Sequence, residues 1–298
     1  MKKINNSEIL LISDCVNANP NGNPDAENAP RIDEDTQRVV VSDVRQKRYI
    51  REILKSQGHN VFVSKDIDYE TGKEKSVKAD ERTKDFDDVR ECTDVRLFGG
   101  VFTVKKENFN YTGPIQFGWG MSLHKAVVSD HGITTSFKTS DKGSDSTGSM
   151  GRDKRVDFAL IATQGRLNAN AAKCTLLTND DIDLFDNCVV NLYSAVNTRS
   201  KIGQTVRVYL RVETKNNKVL KRLDEYIRYI SELEYPKFLS DGHIDAGELI
   251  NYLSSKKEHI ECVKAYVDDK IDIRKESKVI DLVEEIKSLG IHVDTLEV

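Results

Sequence analysis

Four cations, Arg45, Lys47, Arg48 and Arg51, fall within one short stretch, and guanidinium forks and ammonium groups so crowded match the oxygens of a phosphate chain. Shortly before them, Asn19, Asn21 and Asn23 alternate with Pro20, Gly22 and Pro24. Proline fixes φ and Pro20-Asn21-Gly22 has turn chemistry, so such a loop can hold backbone N–H groups and side-chain amides in place against phosphate and sugar. The plainer reading is a loop that ends a strand and a solvated helix face. Further along, Lys138, Arg152, Lys154 and Arg155 flank a Gly/Ser-rich stretch. An extended hairpin of that kind could lie along nucleic acid, with Met150 as an apolar wedge between bases.

Other chemistries fail on spacing. Gly143 and Gly148 have the separation of a phosphate loop, but Ser149 and Met150 stand where Lys and Ser/Thr would grip phosphate and magnesium. Asp66, Asp68 and Glu70 begin like a calcium loop, yet the glycine comes one place late and Val77 replaces the bidentate Glu. The five cysteines and six histidines are scattered, without zinc or redox spacing. No GxSxG or GxGxxG occurs. Asp14, Asp25 and Asp33 are candidate general acids or bases by residue type alone. No metal or cofactor is expected.

The elements that must position these residues follow from pattern. Glu8 to Val16 reads as a buried strand ended by the Asn/Pro stretch. Ser42 is a candidate cap for a helix whose Tyr49, Ile50, Ile53 and Leu54 share one side, opposite Arg45, Arg48, Arg51 and Lys55, with Gly58 as its stop. Residues 64–94 look like a charged insertion, helical in part. Val95 to Phe98 and Pro114 to Leu123 read as β-rich. Ile133 to Thr139 and Val156 to Thr163 form the arms of a hairpin, Asp180 to Val196 a second amphipathic helix, and Thr205 to Glu213 an alternating strand. This strand and helix order is a ferredoxin-like α+β arrangement, as in RRM domains. The last 80 residues read as helices packed on that core.

Bulk numbers set limits. The 298 residues carry a net charge of −4, which argues against indiscriminate polyanion binding. The charge is uneven: residues 38–55 hold six basic and two acidic side chains, and residues 134–173 hold seven and four, whereas from residue 216 onward acids outnumber bases by 18 to 13. Local basic footprints can follow a phosphate backbone on an acidic molecule. No apolar run is long enough for a membrane span, and Ile9 to Ile12 is too short for a secretory signal core. A cytoplasmic protein with no membrane partner is expected.

Taken together, "NPNGNPDAENAPR" at 19–31, "VSDVRQKRYIRE" at 41–52, "DVRLFGG" at 94–100, "GPIQFG" at 113–118 and "SMGRDKRV" at 149–156 resemble the backbone subunit of type I CRISPR Cascade complexes. That is the seventh family of CRISPR-associated proteins, in the RAMP superfamily, and the type I-B branch is most similar. The likeness runs from about residue 7 to residue 213. It implies an RRM-like palm over 1–215, a finger region at about 58–94 and a hairpin thumb at about 133–165, with 216–298 as a helical region on the palm. It also implies copies stacking along one CRISPR RNA, pairing of that guide with target DNA, and contacts with other Cascade subunits. Carried over by motif, Asn19, Asn21, Gly22 and Asn23 form the first loop of the groove, and Arg45, Lys47 and Arg48 contact phosphates. Arg51, Arg96, Gln116, Lys138 and Asn168 are further RNA-binding candidates, and Met150, Gly151, Arg152, Lys154 and Arg155 belong to the thumb. Related type III subunits cut RNA with an Asp in the loop after the first strand, so a nuclease using Asp25 is the rival reading. A lone RNA chaperone is the third.

Overall fold

The first strand, β1 (Ser7–Ala18), is apolar on both faces through Ile9, Leu10, Leu11 and Ile12, all at most 1% exposed. A strand covered on both sides reads as a continuous apolar run, and each such side chain is worth about 1.5–3 kcal/mol when buried. The computed structural model describes residues 3–68, 70–71, 73–75, 79–104, 107–134 and 150–298.

The chain continues through β2 (Arg38–Val41), α1 (Asp43–Ser56), α2 (Thr93–Phe98), β3 (Ile115–Phe117), β4 (Gly120–Ser122), β5 (Val128–Thr134) and β6 (Met150–Leu167). Next come α3 (Ala169–Thr175), α4 (Asn179–Val190), β7 (Gln204–Thr214), β8 (Arg228–Ser231), β9 (Gly242–Asp245) and α5 (Gly247–Lys256). The last elements labelled here are β10 (Ile260–Val267), β11 (Ile273–Lys275), α6 (Leu282–Ser288) and β12 (Val293–Thr295). Among the described residues one large sheet has the order β12-β10-β7-β1-β6-β4-β2, and β3 and β5 also pair with β6. A smaller sheet runs β8-β9-β11 and onward to Lys278–Val279. The fold is mixed α and β, built on a large sheet.

Period-2 alternation sorts β1 between two cores. Ile9 and Leu11 pack with Tyr49, Ile50 and Ile53 of α1 and Ile182 and Phe185 of α4. Leu10 and Ile12 pack with Leu223, Ile227, Leu249, Leu253 and Ile286 from the C-terminal region. Asp94, fully buried, accepts from Phe62 N–H at 2.7 Å, Val63 N–H at 3.1 Å and Arg51 Nε at 2.8 Å, tying the inserted segment to α1.

Two sequence expectations are corrected. Val95 to Phe98 is helical, in α2, because this apolar run closes against α1, α3 and α4 and its C-cap Gly99 takes φ +68°. The last 80 residues contain the helices α5 and α6, but strands are interleaved with them, and β10 extends the large sheet along β7. There Ile260, Val263 and Ala265 are buried in the core that holds Leu249 and Leu253 of α5 and Ile286 of α6. Of the expected arm Ile133 to Thr139, Ile133 and Thr134 end the strand β5, and residues 135–149 fall outside the described residues. No helix among the described residues is long and apolar enough to cross a membrane.

Candidate nucleic-acid interface

At its C-terminal end β1 delivers the Asn/Pro stretch beside the base of the β5–β6 hairpin, where Ala18 faces Val156 and Val156 faces Val128. The stretch folds on itself: Gly22 pairs with Pro30 and Asn23 with Ala29. A Cβ on Gly22 would lie 1.9 Å from Asn28 Oδ1, so a larger residue there would have to displace the Asn28 side chain. The amides are spent on shaping the loop. Asn19 Nδ2 donates to Asn28 O at 2.6 Å, Asn21 Oδ1 accepts from Ser42 N and Oγ at 2.9 Å, and Asn23 accepts from Asp25 N at 3.4 Å. Ser42 stands at the N-cap position of α1 but makes no side-chain cap bond; its N–H and hydroxyl bond the loop instead, fixing the helix N-terminus against residue 21.

Three cations gather at this junction. Arg45, in the first turn of α1, stacks on Tyr49 at 4.1 Å, and its buried Nε and Nη2 have no hydrogen-bond partner. Arg31 closes the loop, its N–H donating to Asn21 O at 3.0 Å, and its buried Nε is also unpartnered. Lys201 donates to Asn19 O. Burial, with the like charge of Arg45 adding to it, brings the Lys201 ammonium down to about 8. Among the described residues no carboxylate pairs with any of the three. Gly203 places Lys201: at φ +105° it lets the 197–203 loop press onto β1, with Val16 N–H donating to Gly203 O at 2.7 Å, where a Cβ would meet Val16 O at 2.2 Å.

The hairpin base joins the same junction. Arg155 pairs with Asp153 at 2.7 Å and donates to Asn17 O at 2.9 Å, Asp153 lies 3.5 Å from Arg199, and Lys154 lies 3.2 Å from Glu27. Arg152 is 72% exposed beyond a 3.3 Å contact with Asp130. The backbones of Gly151 and Met150 pair with Ile133 and Thr134. Lys138 lies outside the described residues.

The remaining expected residues are engaged elsewhere. Lys47 bonds Gln116 Oε1 at 2.6 Å and Asp43 at 3.2 Å, while Gln116 Nε2 donates to Phe98 O and Gly113 O. Arg48 pairs with Glu52, and Arg51 with buried Asp94. Arg96 grips Asp181 through two bonds of 2.9 and 2.7 Å. Asn168 caps α3, just past the end of β6 that pairs with Ser7. That is about 35 Å along β1 from Ala18. The cationic stripe read from the sequence therefore reduces to Arg45 as its one unpaired member near the loop, because α1 is packed on both flanks and acids meet the other three. Asp25 sits in the single turn Pro24–Ala26 on the surface, and among the described residues no cluster of three acids, histidines or cysteines could hold a metal.

A family model described as CRISPR-associated protein Cas7 matches residues 5–246. The chain belongs to the Cas7 family. A CRISPR-associated protein Cas7 from Haloferax volcanii is 29% identical over 329 aligned positions, spanning all of this chain and 87% of the relative. Chains from two solved structures share the fold. One, from a CRISPR RNA-guided surveillance complex in a pre-nicking state, has a TM-score of 0.54 at 12% identity, covering 96% of this chain and 99% of its own. The other, from a CRISPR RNA-guided surveillance complex, has 0.54 at 14%, covering 95% and 98%.

Within this Cas7-family chain, residue-type reasoning missed Arg31 and Lys201. Arg31 ends the Asn/Pro stretch in plain view, and Lys201 stands with Arg199 in a short basic run before Gly203 and the alternating strand. That signal was too short to stand out against the longer basic segments.

Proposed function

We propose that the chain is a non-catalytic backbone subunit of a cytoplasmic CRISPR surveillance complex. Several copies lie along one guide RNA and present it for pairing with target DNA beside the other subunits. The observation that carries this reading is the group Arg31, Arg45 and Lys201, half-buried and, among the described residues, without a paired carboxylate, held around the Asn/Pro loop. Unpaired cations so placed suit phosphate, and the backbone is the part of a guide that repeats whatever its sequence. Arg152, Lys154 and Arg155 extend the track along the hairpin, whose arms serve as the thumb. The order β7-β1-β6-β4, with α1 and α4 on one face, supports an RRM-like palm. The inserted segment at about 58–94 serves as the finger.

The test is the mass of RNA-bound particles as guide length increases. Mass rising in equal steps of one protein copy per fixed RNA increment supports the reading. One copy at every length would replace it with a lone RNA chaperone.

A further inference from the structure

The chain's single tryptophan, Trp119, is 59% exposed between β3 and β4. It lines a groove of about 560 Å³ with Met121, Arg38 and the strand β8. The groove lies on the sheet face away from the cationic junction. Along β6, Thr163 bonds Gln46 of α1 at 3.4 Å, whereas its neighbour Ala162 packs with the C-terminal region and lines the groove.

One wall of this groove is β8. Among the described residues β8 pairs only with β9, which leaves its other edge unpaired, and Arg228, Tyr229 and Ile230 line the groove while no residue of β9 does. Tyr229 anchors the strand, its ring 5.1 Å from His124 and 6.4 Å from Phe158. Arg228 and Ile230 alternate outward, Ile230 being 44% exposed. A free edge of four residues offers about two N–H and two C=O groups to an incoming strand. Opposite them, Trp119 and Met121 supply an apolar, aromatic floor of the kind that anchors protein contacts.

Charge selects the occupant. Arg222 is met by Asp224 at 2.7 Å and Glu225 at 3.6 Å, and Arg228 by Glu248 at 2.8 Å, which leaves Arg38 with no acidic partner among the described residues. A row of phosphates would meet Asp224 and Glu225, whereas one carboxylate on an extended chain would meet Arg38 alone. We propose that this groove binds an extended peptide segment of another protein by strand addition to β8, with apolar side chains on Trp119 and Met121 and a carboxylate at Arg38.

Trp119 reports on its own site. The full chain is titrated with three blocked hexapeptides of alternating Val and Thr, one carrying a central Glu, one a central Lys, and one a central Glu beside a Pro that removes a ladder donor. Trp119 emission should shift to the blue with the Glu peptide, about tenfold higher peptide being needed for Lys, and no shift should occur with Pro. Arg38→Gln, checked for folding by circular dichroism, should abolish the Glu preference. The proposal is overturned if no peptide moves the emission, if all three act alike, or if a hexathymidylate quenches Trp119 and displaces the Glu peptide. The peptide comparison on the native chain decides the matter even if Arg38→Gln does not fold.

Discussion

Two groups of charges in this molecule are buried to different ends. Between α4 and β7, Asp186 accepts from Arg211 through bonds of 2.8 and 2.7 Å and from Tyr209 Oη at 2.6 Å, with all three residues at most 3% exposed. Around the Asn/Pro loop, Arg31, Arg45 and Lys201 are half-buried, and among the described residues none of them pairs with a carboxylate. Desolvating an ion costs several kcal/mol, which a close counter-ion with satisfied hydrogen bonds offsets. The first group meets that condition inside the chain and fastens a helix to the sheet. On the proposed reading an anion supplies it for the second, and binding would relieve the cost of leaving those cations unpaired.

The sharpest way to break this contrast is to remove one partner from each group. Asp186→Ala leaves buried Arg211 with only its longer 3.5 Å contact to Glu213 and should destabilise the fold by about 3–5 kcal/mol, read as the denaturation midpoint by circular dichroism. A loss under about 1 kcal/mol would place the pair among ordinary surface contacts. Arg45→Gln with Lys201→Gln should leave the midpoint of the RNA-free chain unchanged or raised, since it removes two unpaired cations. A large loss of stability would show that they serve the fold.

The next effect is on pH. Lys201 in the free chain titrates at about 8, and a phosphate beside it favours the charged form. Binding therefore takes up a proton wherever the free amine has lost one. RNA affinity should be flat below about pH 8 and fall above it, by at most about tenfold per pH unit. Lys201→Arg should flatten the fall, and an unchanged profile would remove Lys201 from the contact. The smallest effect belongs to Arg48→Ala, which breaks an i,i+4 pair with Glu52. It should change stability by about 0.5 kcal/mol or less and RNA affinity by less than about threefold. A loss comparable to that of Arg45 would mean that Arg48 leaves Glu52 for phosphate.

Much of the fold was legible because it rests on local pattern. The run Ile9 to Ile12 announced a strand buried on two faces, and Tyr49, Ile50, Ile53 and Leu54 announced a helix. Val95 to Phe98 misled because a short apolar run does not distinguish strand from helix, and contacts with α1 and α4 decide it. The C-terminal strands were missed because Ile260 to Val267 sits among charges that imitate a helical surface. In the candidate site, the Asn/Pro stretch is a loop paired with itself, Gly22 with Pro30 and Asn23 with Ala29. Its amides turned out to hold the loop, Asn19 bonding Asn28 O and Asn21 bonding Ser42. Which cations stay unpaired could not be read from sequence, because Asp94, Asp181 and Glu52 had to be placed in space first.

The most direct measurement is the salt dependence of affinity for two RNAs of unrelated sequence, native chain against Arg45→Gln with Lys201→Gln. Equal loss for both RNAs, of about tenfold or more, should come with a decrease of about 1.4 in the slope of log affinity against log salt, roughly 0.7 for each contact on a single strand. Unchanged slopes, or a loss confined to one RNA, would contradict the claim that these unpaired cations hold the phosphate backbone without regard to sequence.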